Sequence, residues 1–202
     1  MRSVLAKGIS AALHPVGMPL LALVMLKELD PYLTSHPALL LYLTILLSIN
    51  TAAPALSFWL LRQNGIIADL EVRNRKERVW PFLLVLGYFS LAYGLTKSGP
   101  NQLVVPAFYQ RMLLSLVIAM ASAWVVTLKF KISMHMLAQG GLMAMYLRLG
   151  FAIHHIDLRW VSILLLTAGL VGWSRLRLQV HQPLELYFGY ALGWAAVWFT
   201  FW

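Results

Sequence analysis

The pattern of hydrophobic and polar positions divides the chain into long apolar runs that are separated by short polar segments. Seven runs reach or approach the length of about 18 to 20 residues that a helix needs to cross a bilayer. They cover residues 9–27, 38–62, 79–96, 107–128, 133–152, 159–174 and 183–202. The sixth run is short, and Pro15 and Pro19 interrupt the first. The pattern therefore predicts six or seven membrane-spanning helices.

Composition supports this prediction, because 60% of the residues are hydrophobic and only 11% are charged. Soluble proteins usually carry about 25% charged residues. No charged or Ser/Gly-rich linker divides the chain, so we expect an all-α polytopic bundle that forms one domain over residues 1–202. The basic segment Met1 to Lys7 precedes an apolar run without a small-residue cleavage pattern, and we expect it to remain part of the first helix.

The basic charge fits a membrane protein better than a nucleic-acid partner. The formal net charge is +9, which in a soluble domain would favour nucleic acid. Here Lys and Arg flank apolar runs, as they do in cytoplasmic loops. With seven spans, eleven of the sixteen Lys and Arg residues lie on the side of the N-terminus. We expect that side to be cytoplasmic, in a bacterial inner membrane.

Three polar clusters fall on that same side of the predicted bundle. They are residues 73–78, residues 129–135 and residues 174–185. An even number of predicted spans separates each cluster from the N-terminus, which places all three on the N-terminal side of the membrane. We therefore expect the three clusters to converge at one membrane face. An anionic substrate at this face would also account for part of the positive charge.

The cluster at 174–185 has the most specific arrangement of reactive residues. Arg175 can hold a phosphate through two parallel hydrogen bonds. His181 can serve as a nucleophile or a proton carrier, and Glu185 lies four residues later, within reach on one helical face. Phosphate chemistry at a membrane surface is the function that this pattern favours.

The other two clusters carry further candidates. His135 begins the fifth run and needs a polar partner there. Ser133 and the backbone amides of a helix N-terminus can donate to a phosphate, and Lys131 precedes them. In the cluster at 73–78, Arg75 and Arg78 are three residues apart and share a helical face.

The sequence indicates no second catalytic site and no metal site. We assign no role to His14, His36, His154 and His155, and His14 is expected only to satisfy a backbone group beside Pro15. The chain lacks Cys and any metal-ligand motif, so we predict no metal site.

A pair of glycines in the last run predicts close helix packing. Gly189 and Gly193 form a Gly-x-x-x-Gly pattern in an apolar segment. Such a pattern lets two helix backbones approach closely. We expect the contact to lie within the bundle.

Taken in order, the three clusters resemble the signature of the type 2 phosphatidic acid phosphatase (PAP2) superfamily of integral membrane lipid phosphatases. That signature reads Lys-x6-Arg-Pro, then Pro-Ser-Gly-His, then Ser-Arg-x5-His-x3-Asp. The third motif matches as Ser174-Arg175, His181 and Glu185, with Glu in place of Asp. The second keeps Ser133 and His135 but has Ile132 and Met134 in place of Pro and Gly.

The first motif departs furthest from the family pattern. Arg78 is followed by Pro81 rather than by an adjacent Pro, and Glu71 stands where the family has Lys. Arg73, Arg75 or Lys76 would have to take the role of that Lys. The resemblance covers roughly residues 73–193.

The resemblance implies a metal-independent phosphatase with a PAP2-like bundle. His181 would attack phosphorus and form a phosphohistidine, Glu185 would hold its ring, and His135 would protonate the leaving group and then activate water. The phosphoryl oxygens would be held by Arg175, Ser133, Arg78, Arg75 and Lys131. No cofactor is required, because this cationic cradle does the electrostatic work.

The expected substrate is a membrane lipid phosphate or pyrophosphate, such as phosphatidic acid, phosphatidylglycerol phosphate or polyprenyl pyrophosphate. The partly matched second motif leaves an alternative, a membrane protein that binds or transports lipid phosphate without hydrolysing it. A third hypothesis is a structural membrane subunit whose basic loops only set its topology. The sequence does not name the lipid or an oligomeric state.

Overall fold

The computed structural model describes residues 2–70, 72, 74–97 and 103–201, and within these ranges the protein is helical and contains no β-strand. The side chains of Arg2, Arg75 and Lys76 lie outside this description. The helices are α1 (Arg2–Ala12), α2 (Met18–Leu29), α3 (Pro31–Ser35), α4 (Pro37–Gln63), α5 (Val79–Leu95), α6 (Ala107–Thr127), α7 (Met134–Ala152), α8 (Leu158–Arg177) and α9 (Pro183–Thr200). Short 3₁₀ turns at Pro15–Gly17 and Arg75–Arg78 precede α2 and α5.

Each of the seven predicted runs coincides with helical structure, and the all-α prediction is confirmed. Within the described ranges, three stretches are long and apolar enough to cross a membrane, namely Ser3–Leu29, Pro37–Gln63 and Ala107–Thr127, and Val79–Leu95 is a shorter apolar helix. These stretches fit a membrane protein. The larger number of six or seven spans stays a prediction.

The first predicted helix is broken near its middle. His14 has extended backbone geometry, and its Nδ1 accepts a hydrogen bond from the Val16 amide at 3.3 Å. Pro15 has no N–H to continue the α-helical ladder, so the chain passes through a 3₁₀ turn before α2 begins. His14 thus satisfies a backbone group, as predicted, but it also lines the cavity beside His135, which the sequence did not indicate. The break makes α1 and α2 separate elements.

Helices α7 and α9 pack so closely that their backbones touch. A Cβ on Gly193 would lie 1.9 Å from the Leu137 carbonyl oxygen, and a Cβ on Gly189 would lie 2.6 Å from the Ser133 carbonyl oxygen. On the facing helix, a Cβ on Gly140 would lie 2.0 Å from the Tyr190 carbonyl oxygen. The predicted role of the Gly189 and Gly193 pair in close packing is confirmed, and it brings the N-terminal ends of α7 and α9 together.

The other helices surround this pair. Helices α6 and α8 pack beside α9 and α7 respectively, α5 and α4 continue the layer beyond α6, and α1 lies against α8. The largest apolar core joins α2, α4, α6 and α7, with Leu26, Leu43, Leu113 and Tyr146 almost fully buried. The C-terminal parts of α1 and α8 and the starts of α7 and α9 meet at one end of the bundle, where the candidate site residues are found.

Candidate functional site

The connection between α8 and α9 is a tight turn that points His181 inward. At the end of α8 the Gln179 amide donates to the Leu176 carbonyl at 2.9 Å, and the Val180 amide donates to the Arg175 carbonyl at 3.3 Å. This pairing is a Schellman cap, which places Gln179 in the left-handed region at φ 54°. Pro183 then starts α9 at a position where its missing N–H costs nothing. His181 lies between the two helices.

His181 and Glu185 form a buried hydrogen-bonded pair. The distance between His181 Nδ1 and Glu185 Oε2 is 2.5 Å, and the side chains are 4% and 14% exposed. The same carboxylate oxygen accepts from the Gln182 amide at 3.3 Å, so Glu185 is fixed by the N-terminal cap of α9. Because an ionised carboxylate only accepts hydrogen bonds, Nδ1 carries the proton and the lone pair resides on Nε2.

The second cluster lies directly against this pair. The Ser133 amide donates to the Glu185 carbonyl at 3.0 Å, and Lys131 Nζ donates to the Val180 carbonyl at 2.8 Å. Ser133 is fully buried as the N-cap of α7, where its Oγ accepts from the Met136 amide at 3.4 Å. Ser133 therefore links the cluster at 129–135 to the cluster at 174–185. Lys131 places its positive charge near His181.

The first cluster contributes Arg78, which is 4% exposed at the start of α5. Its Nε donates to the Val72 carbonyl at 2.9 Å, and its Nη1 donates to the Ile132 carbonyl at 3.0 Å. These bonds tie the first cluster to the second, so the structure brings all three clusters together. The side chain of Arg75, predicted as a phosphate ligand, lies outside the described part of the chain, as do Arg73 and the side chain of Lys76.

Helix α1 supplies a residue that the sequence analysis missed. Ser10 is 4% exposed, and its Oγ accepts from Arg175 Nη1 at 2.6 Å and lies 3.2 Å from His135 Nε2. The Ser10 carbonyl oxygen is 3.1 Å from the same nitrogen of His135. His14 also contacts His135, edge to face with ring centroids 5.2 Å apart. A serine in an apolar helix more than a hundred residues away gave no signal in the sequence.

An open cavity of about 170 Å³ connects these groups to the interior of the bundle. Arg78, His135, Arg175 and His181 line its polar end. The rest of the wall is almost entirely apolar and is contributed by α2, α4, α5, α6 and α7, with Leu47, Phe58, Phe82, Phe89, Met112, Leu116, Met120, Ala138 and Met145 among its residues. The cavity thus joins a cationic end with two histidines to an apolar pocket.

The surroundings keep His181 neutral. Its pKa is lowered from the ordinary value, chiefly by burial and further by the positive charges of Arg175, Lys131 and Arg78. A neutral ring with its proton on Nδ1 presents an unprotonated Nε2, which is the form that a nucleophile needs. Burial also lowers the pKa of Arg78, but an arginine guanidinium stays charged at neutral pH.

The predicted residues fall into three groups. His181, His135, Arg175 and Arg78 line the cavity, whereas Glu185 holds His181 from behind. Ser133 and Lys131 bond to backbone next to the site. Among the residues that the structure describes, no three His, Cys, Asp or Glu side chains are grouped so that they could hold a metal ion.

Comparisons of the chain with models of protein families, with curated proteins and with solved structures found no match.

Proposed function

We propose that the protein hydrolyses a membrane lipid phosphate or pyrophosphate through a phosphohistidine on His181, as a member of the type 2 phosphatidic acid phosphatase superfamily. One observation carries the proposal. His181, bonded to Glu185, lines one cavity together with Arg175, Arg78 and His135. A candidate nucleophile, cations for the phosphoryl oxygens and a second proton carrier thus face the same space.

In the first step His181 Nε2 forms a bond to phosphorus while the bond from phosphorus to the lipid oxygen breaks. Glu185 accepts the Nδ1–H bond and stabilises the positive ring that results. His135 supplies the proton to the departing oxygen, and Arg175 and Arg78 stabilise the charge on the phosphoryl oxygens. In the second step His135 takes a proton from water, the water oxygen bonds to phosphorus, and the bond to His181 breaks to release phosphate.

The apolar wall of the cavity supports a lipid as the substrate. It runs from the polar end to positions deep in the helices, such as Leu47 and Met145. Transfer of apolar surface from water into such a wall is favourable by about 25 cal/mol per Å². A hydrocarbon chain would occupy this space while its phosphate lies at His181.

The bias of Lys and Arg toward the N-terminal side supports a site at the cytoplasmic face of a bacterial inner membrane. The three apolar stretches are compatible with that location.

The proposal is tested by phosphate release from a panel of lipid phosphates and pyrophosphates in detergent with EDTA. We expect release by the wild-type protein and a loss of at least about 10³-fold in His181→Ala, since loss of a covalent nucleophile costs orders of magnitude in rate. His155→Ala, at an exposed histidine on another loop, is the matched control and should keep wild-type activity.

Each other outcome has a definite meaning. Undiminished release by folded His181→Ala would refute the phosphohistidine. Tight binding of lipid phosphate without release would support the binding or transport alternative. Inactivation by EDTA would indicate a metal-dependent reaction.

A further inference from the structure

The broken N-terminal helix reaches the centre of the candidate site and is held there by the third motif. Ser174 Oγ donates to the Ala6 carbonyl at 2.7 Å, and Arg175 Nη1 donates to Ser10 Oγ at 2.6 Å. Ala6 and Ser10 are four residues apart, so they lie one turn apart on the same face of α1. The adjacent Ser174 and Arg175 therefore bind two successive turns of α1.

Ser10 joins two groups that have separate roles in the proposed reaction. Its hydroxyl oxygen accepts from Arg175 and lies within hydrogen-bonding distance of His135 Nε2. Its carbonyl oxygen is also within 3.1 Å of that nitrogen. Because a carbonyl can only accept, this contact places a proton on His135 Nε2. One serine thus fixes the orientation of Arg175 and both the orientation and the proton position of His135.

We infer that Ser10 is a positioning residue for phosphoryl transfer and that α1 completes the site. The inference rests on the proposed function. With Nη1 held by Ser10, the planar guanidinium of Arg175 is fixed where it lines the cavity, which is the position that the proposed phosphate contact needs. The Ser10 carbonyl supports the ring of His135 as Glu185 supports the ring of His181.

Burial strengthens this assignment. Ser10, Arg175 and His135 are 4%, 2% and 6% exposed, so water does not readily replace a lost protein partner. A hydrogen bond to a charged group is worth about 1.5 to 3 kcal/mol, which corresponds to about a 10- to 100-fold change in a binding or rate constant. Removing the Ser10 hydroxyl should therefore weaken both the binding of a phosphoryl group and its transfer.

The test compares Ser10→Ala with the wild-type protein by kcat, KM and the inhibition constant of orthovanadate, a mimic of the transferring phosphoryl group. We expect kcat/KM to fall about 10- to 100-fold and the inhibition constant to rise by about tenfold or more. A purely structural defect would lower the amount of active protein, and hence kcat, without changing the inhibition constant. Thermal unfolding in detergent verifies that the variants are folded.

Two further variants complete the experiment. Ser57→Ala removes a helix hydroxyl that bonds to Tyr88 Oη at 2.8 Å, away from the cavity, and it should leave all three constants unchanged. Ser10→Thr keeps the hydroxyl and should hold the inhibition constant within about threefold of wild type, a difference below 1 kcal/mol.

An unchanged inhibition constant in Ser10→Ala overturns the inference, and so does an inhibition constant in Ser10→Thr as high as in Ser10→Ala. Higher activity or tighter vanadate binding in Ser10→Ala also overturns it, because Ser10 would then obstruct the site. A wild-type protein that releases no phosphate from any lipid defeats the proposed function itself, which separates the two failures.

Discussion

At the scale of single residues, the site depends on a histidine that is buried among positive charges and yet bonded to a carboxylate. Burial and the charges of Arg175, Lys131 and Arg78 lower the pKa of His181. Glu185 selects which nitrogen keeps the proton through its 2.5 Å contact with Nδ1. The result is a neutral ring with a defined tautomer, which is the form that the proposed nucleophile needs. The same lowered pKa makes the stability of the folded protein sensitive to acid.

The lowered pKa predicts how stability depends on pH. In the unfolded chain His181 has an ordinary pKa near 6.5 and takes up a proton as the pH falls below that value. The folded state does not bind this proton until a much lower pH, so protons favour the unfolded state and the free energy of unfolding decreases from about pH 7 downward. We expect His181→Asn to show a smaller decrease between pH 7.5 and 5, measured by thermal unfolding in detergent.

The exposed His155 provides the control for this measurement. His155→Asn should follow the wild-type pH dependence. Equal slopes for wild type and His181→Asn would contradict the assignment of a lowered pKa to His181.

At the scale of secondary structure, the contact between α7 and α9 positions the reactive residues relative to one another. Gly189 lies against Ser133, and the Ser133 amide bonds to the Glu185 carbonyl at 3.0 Å. His135 follows on α7, whereas His181 and Glu185 are fixed at the start of α9. The distance between the two histidines is therefore set by how closely these two helices approach.

The close contact between α7 and α9 can be tested by adding one methyl group with the substitution Gly193→Ala. The added Cβ of Gly193→Ala would lie 1.9 Å from the Leu137 carbonyl oxygen, so the helices must separate. We expect a loss of about 1 to 3 kcal/mol in the free energy of unfolding and a fall of roughly 10- to 100-fold in phosphate release, because small displacements of catalytic groups are costly.

Gly169→Ala in α8 is the matched control, since a Cβ there meets no atom within 4 Å. It should retain wild-type stability and activity. A Gly193→Ala protein that behaves like this control would show that the backbone contact does not hold the site together.

At the scale of the whole molecule, helices α2, α4, α5, α6, α7, α8 and α9 line a cavity that extends from the candidate site residues into the apolar interior. Under the proposed function, the cavity predicts that substrates are distinguished by their chains, because the polar end is the same for any phosphate.

Narrowing the apolar part of the cavity should separate the contribution of the lipid chain to substrate binding from the contribution of the phosphate. Ala138 lies on its wall and is partly exposed, and Ala138→Phe would fill space that a lipid chain would use. We expect KM for a long-chain lipid phosphate to rise about tenfold. This rise corresponds to the loss of about two buried CH₂ groups of the lipid chain from the cavity, at about 0.8 kcal/mol each. KM for a short-chain analogue should stay within twofold of the wild-type value. Equal effects on both substrates would contradict a chain-binding role.

The sequence by itself determined the helical architecture, and it also indicated candidate residues that the structure places near one another. Apolar runs of membrane length favour helix, because a helix satisfies its own backbone hydrogen bonds. The spacing of His181 and Glu185 predicted their contact, although His181 precedes α9 and meets Glu185 at the helix cap rather than along a helical face. The Gly189 and Gly193 pair also signalled close packing, because small residues at this spacing have that one structural effect. These features depend on neighbours within a few residues, so local patterns suffice to predict them.

Only the tertiary structure decided which distant groups support the reactive residues. Ser10 is one polar residue among many in apolar helices, and its contacts with His135 and Arg175 span 125 and 165 positions. The Ser133 hydroxyl oxygen also accepts a hydrogen bond from the Met136 amide as the cap of α7, a role that the sequence analysis did not assign to it. Neither outcome follows from local spacing, because both depend on where the break at His14 directs α1 and on how closely α7 approaches α9.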